Sequence, residues 1–63
     1  MTRDQRLTMA DAALDRAAAL ARDAEVSARH TDSQHRAEPL AAVAAVWVGI
    51  ARTHAALADT TEA

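Results

Sequence analysis

From Pro39 to Ala58 the chain reads PLAAVAAVWVGIARTHAALA, with Arg52 as its one charged residue. A segment of that length and apolarity predicts a buried helix. Leu40, Val43, Trp47, Ile50, His54 and Leu57 follow one another at alternating spacings of three and four, the a/d seam of a helix packed lengthwise on another. On the far side, at about 100° per residue, stand Ala41, Ala42, Ala45, Gly49 and Ala56, small enough for a second backbone to come close. A helix apolar all round is covered on more than one side, so this one calls for more than a single neighbour.

The first half of the chain is amphipathic. Thr2-x-x-Gln5 has the form of a capping box, which places a helix start near residue 3. Leu7, Ala10, Leu14, Ala17, Ala21, Ala24 and Ala28 then form an alanine-lined stripe, with Ala13 and Leu20 beside it and Asp11, Asp15, Arg16, Arg22 and Asp23 on the other side. Alanine is the best helix former, and Glu25 with Arg29 adds an i,i+4 pair, so the helix is expected to reach residue 30. Residues 31–38 have no apolar periodicity and are rich in cap and turn formers, which marks a connector. Thr31-x-x-Gln34 is a second capping-box pattern, and its alternative implication is a second helix that begins near Asp32 and runs through Pro39. Pro39 is cheapest at a first helical position, so the second helix is expected over 39–58, with 59–63 a frayed tail; a single turn over 32–37, broken at the proline, satisfies both signals.

Two helices joined by so short a connector lie antiparallel. The expected fold is therefore all-α, one domain over 1–63, a two-helix hairpin assembling as a homodimer into a four-helix bundle. If the bend is centred near Gln34, residue i faces 69 − i, which puts Trp47 opposite the Ala21 region and His54 near Leu14 and Asp15. Helix one then outruns helix two by about eight residues, roughly 12 Å at 1.5 Å each. The overhang, Arg3 to Met9, presents Leu7 and Met9 with Arg3 and Arg6 as a tip on which another protein can dock.

Length sharpens the need for a partner. Sixty-three residues lie near the lower limit for independent folding, and with no cysteine present neither a disulfide nor a thiolate zinc site can supplement the core. Oligomerisation remains. Seven arginines against nine acids, with no lysine, leave a net charge of −2, which argues against nucleic acid as a partner. The N-terminus has mixed charges and no apolar signal-peptide core, so a cytoplasmic location is expected. The thirteen uncharged residues 39–51 fall short of the about 20 that a spanning helix needs, and no basic cluster flanks them, so a membrane is not expected as a partner.

Candidate chemistry is sparse. His30 and His35 are five residues apart, outside the i,i+4 arrangement that puts two imidazoles on one helix face, and His54 lies at the far end of the hairpin. No metal or cofactor is expected. Ser27 and Ser33 have histidines nearby in sequence but no oriented base, there is no Gly-rich phosphate loop, and Asp11 with Asp15 reads as a solvated face. No enzymatic activity is expected. The layout resembles that of the ROP-like plasmid regulators, RNA-binding proteins of similar length that pair two helical hairpins into a four-helix bundle. That resemblance implies architecture alone: along the surface that family uses for RNA, this chain carries Asp11, Asp15 and Asp23 among Arg16 and Arg22.

Together these features predict a structural or protein-interaction module that self-associates through Leu40, Val43, Trp47, Ile50, His54 and Leu57 with Ala42, Ala45 and Gly49, while Leu7 and Met9 serve a protein partner. Two alternatives are a dimeric nucleic-acid-binding regulator using Arg3, Arg6, Arg16 and Arg22, and a helical subunit that completes a larger or membrane-associated assembly.

Overall fold

The computed structural model describes residues 1–60, and all of its regular structure is helical. Helix α1 runs Arg3–Arg29, a 3₁₀ segment covers Thr31–Arg36, and helix α2 runs Ala37–Thr60. The expected tail over 59–63 begins inside α2, and residues 61–63 lie outside the described residues. The two helices pack side by side along an antiparallel hairpin measuring 50 × 13 × 12 Å.

Local chemistry sets each boundary. The Thr2 hydroxyl accepts from the Gln5 backbone N–H at 3.1 Å, and the Gln5 side chain accepts from the Thr2 N–H at 2.8 Å, which satisfies two donors that a helix start would otherwise orphan. At the other end the chain leaves α1 through one extended residue, His30, at φ −114° and ψ 125°, and winds directly into the 3₁₀ turn. No described residue has positive φ, so the bend needs neither glycine nor asparagine. Side chains of that turn finish the helix behind it: Ser33 Oγ donates to the Ser27 carbonyl at 3.4 Å and Gln34 Nε2 to the Ala28 carbonyl at 3.5 Å. The capping box read from Thr31 and Gln34 does not form, because Gln34 is engaged with α1 and the 3₁₀ segment has no side-chain cap.

Pro39 is the third residue of α2 and not the first. First-turn positions tolerate proline because their N–H groups have no carbonyl within the helix. The connector is thus helical nearly throughout, and α2 gains two residues at each end of the expected 39–58.

The packed faces differ from the expected ones. On α1 the row turned inward is Arg6, Ala10, Ala13, Ala17, Leu20, Ala24 and Ser27, an unbroken four-and-three heptad series. Leu7 and Leu14 of the expected stripe are exposed. On α2 the inward row is Leu40, Ala44, Trp47, Ala51, His54 and Ala58. Of the expected seam it keeps Leu40, Trp47 and His54, while Val43, Ile50 and Leu57 lie outside. Both corrections have one cause. Alanines facing alanines let the backbones come close along the middle of the contact, so the larger inward side chains, Leu20, Leu40, Trp47 and His54, lie at its edges and stay partly exposed.

The register is also tighter than 69 − i. The Arg16 guanidinium stands 5.9 Å from the centroid of the Trp47 ring, so at mid-hairpin residue i faces about 63 − i. Trp47 meets the Ala13 to Arg16 turn in place of Ala21. Arg6 Nη1 lies 3.2 Å from His54 Nδ1, so the partner of His54 is Arg6 and not Asp15. The projecting tip is therefore absent: Arg6 is paired across the hairpin, and Ala58, one turn beyond His54, is the most buried residue of the core at 1% exposure.

Candidate association surface

The interior of the hairpin contains little. Among the described residues the buried apolar ones are six alanines, and no large side chain is fully enclosed. Each alanine contributes about one methyl group, roughly 0.8 kcal/mol. Large apolar side chains are instead on the outside, among them Val46 at 61% exposure, Leu14 at 50% and Val43 at 47%.

On α2 these side chains form a pattern of their own. Pro39, Val43, Val46, Ile50, Thr53 and Leu57 follow at spacings of four and three, a second heptad seam rotated about 100° from the row that packs on α1. Thr53 belongs to it without a polar cost, because its hydroxyl donates to the Gly49 carbonyl at 2.9 Å. Along the hairpin this flank borders two depressions between the helices. Asp23, Val26, Ser27, Arg36, Pro39, Leu40 and Val43 line the one nearer the bend. Met9, Ala12, Ala13, Arg16, Trp47 and Ile50 line the other. Both open to the same side, and Arg16 over Trp47 forms part of the floor of the second. Asp23 and Arg36 are the charged residues lining the first depression, and Arg16 the one lining the second.

The other residues expected to associate are dispersed. Ala42, Ala45 and Gly49 form an exposed strip facing away from α1, and a Cβ placed on Gly49 would meet nothing within 4 Å. Leu7 is on the opposite side of the hairpin from the second seam, whereas Met9 is beside Trp47 and Ile50. Leu40, Trp47 and His54 hold the two helices together. The second seam follows from the same three-and-four rule as the expected one and shares Val43, Ile50 and Leu57 with it; what tells them apart is that Ala44, Ala51 and Ala58 complete the packed row with Leu40, Trp47 and His54, leaving Val43, Ile50 and Leu57 to the outer flank.

The remaining polar features are modest. Arg29 and Glu25 approach to 3.9 Å with both side chains largely exposed, a pair that contributes at most a few tenths of a kcal/mol. Arg6 Nε is buried without a hydrogen-bond partner. Among the described residues no group of His, Asp and Glu could hold a metal ion. The segment Thr31–Thr60 is, by length and composition, long and apolar enough to cross a membrane, and only 11% of its most apolar window is buried in the hairpin. The thirteen-residue run counted in the sequence therefore understates the apolar helix, because Arg52 is the only charge between Glu38 and Asp59. No family model, no curated protein and no solved structure matches the chain.

Proposed function

We propose that the chain is a small self-associating helical module, in which two hairpins complete a four-helix bundle through α2 and recognition is by helix face. The observation that carries this reading is the uncovered surface. The chain exposes 4657 Å², whereas a compact protein of 6.7 kDa exposes about 3,900 Å². Its radius of gyration, 14.5 Å, likewise exceeds the about 10.6 Å of a compact chain of 63 residues. The excess, about 750 Å², is close to the roughly 800 Å² that each partner buries in a standard protein interface.

The length and apolarity of α2 favour a second reading, in which it enters a bilayer or another protein's bundle. Against bilayer insertion stands α1, which is paired with α2 along its length and carries Asp11, Asp15 and Arg22 on its outer face; charges at such depths are costly, so α1 would have to peel away. Thermal unfolding separates the readings. Self-association makes the midpoint rise with protein concentration, and a midpoint independent of concentration refutes it.

A further inference from the structure

We infer that the second copy docks on one flank only, the row Pro39, Val43, Val46, Ile50, Thr53 and Leu57 of α2, packed antiparallel against the same row of its mate. The inference rests on the self-association reading and adds the surface, the orientation and the register.

Three observations select the flank. The row is a full heptad seam about 27 Å long, it carries no charge, and its one hydroxyl is satisfied within the helix. It borders the depressions lined by Met9, Val26 and Trp47, so a helix laid on it also covers apolar side chains of α1. The missing area matches a protein mate of this size, as derived above. A lipid surface fits less well: interfacial helices carry basic polar faces, whereas this chain has net charge −2 and no lysine, and Asp23 lies at the rim of the groove.

Spacing suits an antiparallel orientation. The row is symmetric about residue 48, so an antiparallel mate puts Val46 opposite Ile50 of the second copy, Val43 opposite its Thr53 and Pro39 opposite its Leu57. Each contact occurs twice, as a two-fold interface requires. A parallel mate would stack Val46 on Val46 and proline on proline, with Leu57 on Leu57 at the far end.

The test is a pair of adjacent substitutions, Val46→Glu and Ala45→Glu. Both add the same charge at the same depth of α2, but Ala45 points away from the flank. Sedimentation of the full chain should give a dimer for the parent and for Ala45→Glu, and a monomer for Val46→Glu, with association weakened at least about a hundredfold by the buried, unpaired carboxylate. Helicity by circular dichroism accompanies each measurement. If Val46→Glu unfolds, the conservative Val46→Cys and Ile50→Cys chains decide the question, because the parent has no cysteine: their mixture should form the crossed disulfide, and a Leu57→Cys chain should form none with itself, its two thiols being about 27 Å apart. A dimeric Val46→Glu or a monomeric Ala45→Glu overturns the proposed surface, and a ready Leu57→Cys disulfide overturns the antiparallel orientation, each while leaving self-association intact. A parent chain that is monomeric, or that instead pellets with phosphatidylcholine vesicles, overturns the self-association reading itself.

Discussion

Gly49 is the position where the account makes its most discriminating single-residue prediction. Glycine inside a helix costs about 1 kcal/mol relative to alanine, because it loses the most backbone freedom on folding. Within the chain nothing requires it: its φ is not positive, and a new Cβ would contact nothing within 4 Å. It also faces about 100° away from the centre of the proposed flank, so an antiparallel mate seated on Val46 and Ile50 leaves it in solvent. Gly49→Ala should therefore stabilise each chain by about 0.8–1.0 kcal/mol, which for a domain of this size raises the thermal midpoint by roughly 4–8 °C. The midpoint at several protein concentrations is the assay, and both the increase and an unchanged concentration dependence are expected. If the strip of Ala42, Ala45 and Gly49 is instead where the backbones of two copies meet, the added methyl forces them apart. The midpoint then falls and the dimer loosens, a result that would refute the assignment of the flank.

Ala13 is 3% exposed between the helices, so Ala13→Leu should overpack the seam and cost about 1–3 kcal/mol in chemical denaturation; an unchanged stability would show that the helices are not held as close as their alanines imply. Trp47 is only half-buried, so Trp47→Ala should cost about 2–3 kcal/mol, less than the 3–5 of a fully enclosed aromatic. Arg16→Ala, which removes a cation from above its ring, should cost about 0.5–1 kcal/mol and shift the Trp47 emission; a spectrum identical to the parent's would place Arg16 elsewhere.

Much of the architecture was legible because the signals were local. The Thr2 and Gln5 box set the start of α1, alanine content sustained it, and a connector without apolar periodicity marked the bend. The faces were not legible, for a reason specific to this composition. When most apolar positions are alanine, several adjacent rows satisfy the three-and-four rule at once, and Leu40, Trp47 and His54 belong to two of them. What decides between the rows is the distance between backbones, which is set jointly by Ala10, Ala13 and Ala17 on one helix and Ala44, Ala51 and Ala58 on the other. Neither half of the sequence contains that distance. The register is not legible either, because His30 makes the bend as one extended residue before a 3₁₀ turn, which shortens the connector, draws His54 to Arg6 and removes the overhang that a docking tip needs. The second seam was present in the sequence, but it merges with the first until the packed row is known.

The central claim is that this hairpin is half of its own functional unit. Sedimentation equilibrium of the full chain, over about a hundredfold range of concentration, tests it most directly. The expected result is a species of twice the 6.7 kDa chain mass, dissociating to helical or unfolded monomer only at the dilute end. A well-folded species of 6.7 kDa at every concentration would contradict it.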